Sequence, residues 1–115
     1  MKPNRKSQIS FLLEQALKHH GIGSLEQAEP IYKQILKIDP NHPIALNQLG
    51  TIALQTGNID VAVELITHAI NHKPDYAEAY NNMASALIEL GRIEDALASY
   101  RKAINIKPDY INAYN

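Results

Sequence analysis

The chain has 115 residues and a formal net charge of −1, with 45% hydrophobic and 20% charged residues. This composition is typical of one soluble globular unit, and it lacks the basic face expected of a nucleic-acid binder. The sequence has no Cys, which excludes disulfides and thiolate metal sites, and no stretch approaches the ~20 apolar residues that span a bilayer. We therefore expect a cytoplasmic protein with neither a nucleic-acid nor a membrane partner.

A 34-residue period organises the sequence. Pro40, Pro74 and Pro108 are each 34 residues apart, and the Lys-Pro-Asp-Tyr segment at 73–76 returns at 107–110. A period of this size indicates one supersecondary unit copied in tandem, because copied units stack on their neighbours instead of folding around one centre. Function is then expected on an extended surface and not in a closed pocket.

Each period is predicted to fold as helix, tight turn, helix. Small residues recur in register where two helices would touch, at Ala16, Gly50 and Ala84 and again at Ala28, Ala62 and Ala96. Gly23, Gly57 and Gly91 fall in the middle of the periods, where a residue of positive φ ends one helix and lets the chain reverse. No alternating run predicts a strand, so the sequence predicts an all-α fold.

The first helix pair is predicted at 9–42, after an N-terminal tail at 1–8 whose short basic run is expected to be solvated. Ser24 and Gln27 have the spacing of a capping box and predict the start of the second helix. Pro30 lies inside that helix and removes one backbone hydrogen bond, so we expect a bend or a short first turn.

The second and third helix pairs are predicted at 43–76 and 77–110, and Asp75 with Glu78 gives capping-box spacing before the third. Residues 111–115 repeat the opening of the third copy and stop after about one helical turn. We interpret the chain as the N-terminal piece of a longer protein, because terminal repeats usually end in a polar capping helix.

The last complete helix is expected to expose apolar surface, since the unfinished fourth copy would leave it uncovered. The side chains concerned are Ile93, Leu97 and Ile104. Exposed apolar patches tend to associate, so the sequence predicts self-association through this end of the molecule.

The pattern resembles the tetratricopeptide repeat, whose consensus joins Leu-Gly, an Ala, an aromatic residue and a final Pro at fixed spacing. The second copy matches it at Leu49, Gly50, Ala62, Ala69 and Pro74, and the third at Tyr80, Ala84, Gly91, Ala96, Tyr100 and Pro108. The first copy is weaker, with Gln15 and His19 at apolar positions, as in end-capping repeats. The resemblance implies a right-handed α-solenoid of about three antiparallel helix pairs and a truncated fourth repeat.

The sequence predicts no catalytic residues, no cofactor and no metal. His68 and His72 are four residues apart and could share a helix face, but no third ligand accompanies them. Glu94 and Asp95 follow Gly91 at a helix start, where negative charge complements the helix dipole. We therefore expect this stretch of chain to contain no active site.

A row of amides, hydroxyls and carboxylates marks the inner, concave side that the resemblance assigns to the first helix of each pair. An amide offers both a donor and an acceptor, so such a row can bind the backbone of an extended peptide. The candidate partner-binding residues are Asn47, Gln48, Thr51, Gln55, Asn81, Asn82, Ser85, Glu89 and Asn112.

Two variants of the family differ at these positions. Repeats that bind the acidic C-termini of chaperones carry Lys and Arg in the groove, whereas Glu14, Glu78 and Asn82 stand there in this sequence. The repeats of O-linked N-acetylglucosamine transferases carry an Asn ladder, which Asn82 matches and which Gln48 and Glu14 interrupt. We expect a scaffold that binds a protein or peptide segment, or alternatively the substrate-recruiting arm of a larger transferase.

Overall fold

Residues 4–109 are described by the structure, a computed structural model, and they form three pairs of α-helices. The helices are α1 (Arg5–Gly21), α2 (Leu25–Ile38), α3 (Pro43–Gln55), α4 (Ile59–His72), α5 (Ala77–Glu89) and α6 (Ile93–Ile106). Within each pair the helices pack on each other, while α2 packs on α3 and α4 packs on α5. The result is an elongated stack of 51 × 27 × 23 Å, which confirms the predicted all-α solenoid.

The turn inside each pair is the same and depends on glycine. Gly23, Gly57 and Gly91 have φ values of +82°, +84° and +76°. After α1, the Gly23 N–H donates to the His20 carbonyl at 3.0 Å and the Ser24 N–H to the His19 carbonyl at 2.8 Å. These are the two bonds of a Schellman motif, which satisfies carbonyls that the helix end leaves free. The glycines therefore act as the sequence predicts.

The helix starts differ from the predicted capping boxes. The side chain of Ser24 makes no capping bond, and α5 begins after Tyr76 instead of Asp75. At Ser24 (φ −84°, ψ 69°) the Leu25 N–H donates to the Gly23 carbonyl at 3.0 Å. This is an inverse γ-turn, and it replaces the side-chain cap that the sequence predicts at this helix start.

The first helix is longer than predicted, and residues from 5 onwards belong to it. Asn4 Oδ1 accepts the Ser7 N–H at 2.7 Å, so α1 has an N-cap within the segment that the sequence predicts to be a tail. The Arg5 guanidinium donates to the carbonyl oxygen of Ile38 at the end of α2. Part of the predicted basic tail is therefore folded against its own repeat.

Pro30 does not shorten α2, which runs unbroken from Leu25 to Ile38 with Pro30 as its sixth residue. Pro30 is exposed, whereas Ala28, Tyr32 and Ile35 face the core. The carbonyl that loses its partner is thus on the solvent side, where water can replace the missing N–H.

Small residues decide how closely the helices of a pair approach. Ala28, Ala62 and Ala96 are buried to 1% exposure or less, and Ala16, Gly50 and Ala84 are also buried. A Cβ placed on Gly50 would lie 2.6 Å from Cγ1 of Ile66, a fully buried side chain of α4. The second repeat therefore needs Gly50 for its helix crossing.

The first repeat departs from the other two. Phe11 is exposed, whereas its equivalents Ala45 and Ala79 are fully buried against the preceding pair. His19 stands in register with the buried Leu87, and His19 Nδ1 is buried without a hydrogen-bond partner among residues 4–109. These substitutions explain why the first copy of the period is the hardest to recognise.

The far end of the stack exposes apolar side chains. Ile93 and Leu97 of α6 are exposed, and Ile104 is partly buried. Over the described part of the chain, no helix combines the length and hydropathy required to cross a bilayer.

Gly50→Ala is expected to destabilise the fold by about 1–2 kcal/mol. The added methyl must displace the buried Ile66 side chain, and this overpacking exceeds the gain of about 0.5–1 kcal/mol from helix propensity. Urea unfolding followed by circular dichroism measures the change.

Gly21→Ala is the matched control, because no atom lies within 4 Å of a Cβ built on Gly21 and its φ is not positive. This variant should be unchanged or more stable by up to about 1 kcal/mol. Equal stabilisation by both variants would show that the Gly50–Ile66 contact does not limit the helix crossing.

Candidate protein-interaction groove

The first helices of the second and third pairs are joined side to side by hydrogen bonds. Asn82 Nδ2, on α5, donates to Asn47 Oδ1 and to Thr51 Oγ1, both on α3, at 3.1 Å each. Three of the predicted groove residues thus meet across the boundary between two repeats. Asn47, Thr51 and Asn82 form a connected network, and its bonds fix the orientation of the Asn82 side chain.

Asn47 corrects one prediction, because its side chain is not available to a partner. It is 2% exposed, and Asn47 Nδ2 donates to Tyr76 Oη at 3.4 Å. Burial raises the pKa of Tyr76, against the opposing effect of this hydrogen bond. Asn47 is therefore a positioning residue that holds Asn82 and Tyr76.

The two hydroxyls of the row are anchored to their own helices. Thr51 Oγ1 donates to the Asn47 carbonyl at 3.1 Å, and Ser85 Oγ donates to the Asn81 carbonyl at 3.4 Å. Thr51, Asn81, Asn82 and Ser85 are all partly exposed. Because each hydroxyl proton is used within its own helix, Thr51 and Ser85 can act towards a partner only as acceptors.

A second polar network joins the first repeat to the second. His20 Nδ1 lies 2.9 Å from Tyr32 Oη, and the two rings meet edge to face with centroids 5.8 Å apart. Gln55 and Gln48 of α3 lie close enough to His20 and Tyr32, respectively, to affect the pKa of each. Burial raises the pKa of Tyr32 to about 12, with Gln48 opposing the shift.

The other predicted positions lie at the margins of this surface. Gln48 is partly buried, whereas Gln55 and Glu89 are exposed at the ends of α3 and α5. Asn112 lies outside the described residues. The sequence did not predict that Tyr76 bonds Asn47 or that His20 pairs with Tyr32 beside the groove. Both Tyr residues nevertheless belong to the repeated pattern.

The paired histidines of α4 have other partners. His68 Nε2 lies 2.9 Å from Asn41 Oδ1, and His72 Nδ1 donates to the His68 carbonyl at 3.1 Å. Across residues 4–109, no three His, Asp or Glu side chains are grouped so that they could hold a metal ion.

Family models match most of the sequence. A tetratricopeptide repeat model matches residues 23–75, a second matches 65–98, and a TPR repeat model matches 84–115. The chain belongs to the tetratricopeptide repeat family. These repeats are non-catalytic interaction modules, and the chain is accordingly a protein-interaction scaffold.

Solved structures share the arrangement. An O-GlcNAc transferase of Thermobaculum terrenum, solved as a point mutant, superposes with a TM-score of 0.93 and 27% identity over 98% of this chain and 22% of that one. MamA superposes with a TM-score of 0.82 and 26% identity over 92% of this chain and 62% of MamA. The chain thus spans about a fifth of the transferase and less than two thirds of MamA.

The first tetratricopeptide repeat domain of RPAP3, called Spaghetti and solved with an HSP90 peptide, has the same fold at 21% identity. It superposes with a TM-score of 0.87 over 94% of this chain and 88% of that one. No curated protein matches the sequence.

The stability of the protein is expected to fall below pH 6.5. Burial lowers the pKa of His20 and His42 from the usual 6.5, against opposing effects of Gln55 and Asp39 respectively. The unfolded chain then binds protons more readily than the folded one, so the stabilisation is present above pH 6.5 and is lost as the pH falls through the lowered values. Urea unfolding at pH 5 and pH 7.5 measures the difference.

His20→Gln combined with His42→Asn should reduce this difference. His42 Nδ1 accepts the Ala45 N–H at 3.2 Å as the N-cap of α3, and Asn preserves such a cap without titrating in this range. The same loss of stability at pH 5 in this double variant would contradict the assignment to these histidines.

Proposed function

We propose that the chain binds an extended segment of a partner protein along the inner face of α1, α3 and α5. The observation that carries the proposal is the orientation of Asn82, whose two amide hydrogens are both used by Asn47 and Thr51. Its Oδ1 is left as the acceptor of a partly exposed side chain. An acceptor held in this way suits a peptide N–H, and it needs no particular side chain on the partner.

Neighbouring groups extend this surface in both directions. Asn81 and Ser85 lie one helical turn apart on α5, and Gln48 lies one repeat away from Asn82. Main-chain groups of an extended peptide alternate between donor and acceptor, so a row of amides can satisfy both kinds. The fold supports such a role, since the RPAP3 domain of the same fold is seen with a peptide.

The partner segment is not an acidic C-terminus. A terminal carboxylate needs cations, and the positions of the family's clamp are occupied by Glu14, Glu78 and Asn82. Glu78 is itself paired with Lys107 at 3.5 Å. Glu14 is exposed and would repel a segment rich in carboxylates.

Asn81→Ala/Asn82→Ala should weaken the binding of peptides selected from a random library by roughly 5- to 30-fold, equivalent to one or two hydrogen bonds of about 1 kcal/mol. Isothermal titration calorimetry measures the affinity, and circular dichroism verifies the fold. Because the amides are proposed to bind main chain, N-methylation of single peptide N–H groups should weaken binding similarly in peptides of different sequence.

Asn71→Ala is the matched control, since Asn71 is an exposed amide on α4, outside the groove. It should leave the affinity unchanged. Equal affinities of the wild type and the Asn81/Asn82 variant, or a library that yields no binder, would exclude the proposed groove.

A second candidate function is that of a substrate-recruiting arm in a larger glycosyltransferase. It is favoured by the superposition of 98% of this chain on part of the Thermobaculum terrenum transferase. Any coding sequence found after Asn115 in the gene would distinguish the two. A nucleotide-sugar-binding α/β domain would favour the arm, and further repeats alone would favour the scaffold.

We also propose that two copies associate through α6, where Ile93 and Leu97 are exposed on one helix face. Sedimentation velocity should show association that increases with concentration, and Ile93→Glu/Leu97→Glu should abolish it. Val61→Glu, at an exposed apolar position of α4, is the control and should not. A wild type that is monomeric at all concentrations would refute this interface.

A further inference from the structure

Two exposed carboxylates lie at inner-face positions of the first and third repeats. Glu14 and Glu89 are exposed, and they lie in register with the groove amides Gln48 and Gln55 respectively. The positions of α1 and α5 that are in register with the groove residues of α3 contain no Lys or Arg. Glu14 and Glu89 are near opposite ends of the groove, so both ends favour a cation.

Each carboxylate has an exposed apolar residue near it in the same helix. Leu17, one turn after Glu14, is 40% exposed and lies in register with Thr51. Ile88, beside Glu89, is 42% exposed and lies one turn after Ser85. The corresponding residue of the second repeat, Leu54, is instead partly buried against the core. The exposed apolar surface of the groove is therefore concentrated in the first and third repeats.

We propose that the groove selects an extended segment carrying a cationic and an apolar side chain near each end, joined by a stretch that the amides bind through its main chain. This inference rests on the proposed peptide-binding function and adds the side-chain preference to it. Each apolar side chain packs on Leu17 or Ile88, and each cation pairs with Glu14 or Glu89. The amides between them supply affinity without sequence preference.

The spacing of the two end sites follows from helix packing. Neighbouring helices lie about 10 Å apart, so the first and third repeats are separated by about 20 Å. An extended chain rises about 3.3 Å per residue. The two cationic-apolar pairs of the segment are therefore expected about six residues apart.

Selection from a random 12-residue display library tests the inference. Peptides that bind the wild type should be enriched in Lys, Arg and aliphatic residues and depleted of Asp and Glu. Replacing one selected Lys by Gln should weaken binding roughly two- to fivefold, as for exposed ion pairs, and less so at high salt. Leu17→Gln/Ile88→Gln should remove the aliphatic enrichment.

Glu14→Lys/Glu89→Lys should reverse the charge preference of the selected peptides, whereas Glu64→Lys, an exposed position on α4, should not. Enrichment of acidic peptides by the wild type, or indifference to charge in both proteins, would overturn the inference while leaving the groove intact. Binding that is lost in Asn81→Ala/Asn82→Ala but has no charge preference would overturn it in the same way. An absence of any binder would instead reject the peptide-binding function.

Discussion

Each repeat is built on the close approach of its two helices, and the other packing contacts follow from it. Gly50 leaves room for Ile66, and buried Ala residues serve the same purpose in the other repeats. A short turn joins the two helices of each pair, and a glycine of positive φ supplies it after α1, α3 and α5. The pair is then compact enough for α2 to pack on α3 and α4 on α5.

Stacking in this way places α3 and α5 side by side and thereby creates the groove. The hydrogen bonds from Asn82 to Asn47 and Thr51 are both a repeat interface and the support of a binding surface. The same side chains cannot vary freely, because a buried amide such as Asn47 needs its partners. Substitutions within this network are therefore expected to affect both stability and binding. Substitutions of the exposed Glu14 and Glu89 are expected to affect binding alone.

Much of the architecture is predictable from the sequence. The period locates Gly23, Gly57 and Gly91, whose role depends only on backbone geometry. The helix starts are harder to predict, because Ser24 is of a residue type that often caps helices but lies in an inverse γ-turn directly after Gly23 and makes no capping bond. The start of α1 lies earlier than the pattern indicates, since the contact of Arg5 with Ile38 joins residues 33 positions apart and leaves no local signal.

For the groove, the sequence alone establishes which residue types recur on one helix face, because the 34-residue period and helical spacing are local properties. Which of those residues a partner can reach depends on the folded stack. Asn47 is buried, and its amide bonds Tyr76 and Asn82, which belong to the next stretch of the stack. Helical spacing places Asn47 on the inner face but does not show that a partner cannot reach it, because its burial depends on side chains about 30 residues further along the chain that only the packing of α5 on the preceding helices brings against it.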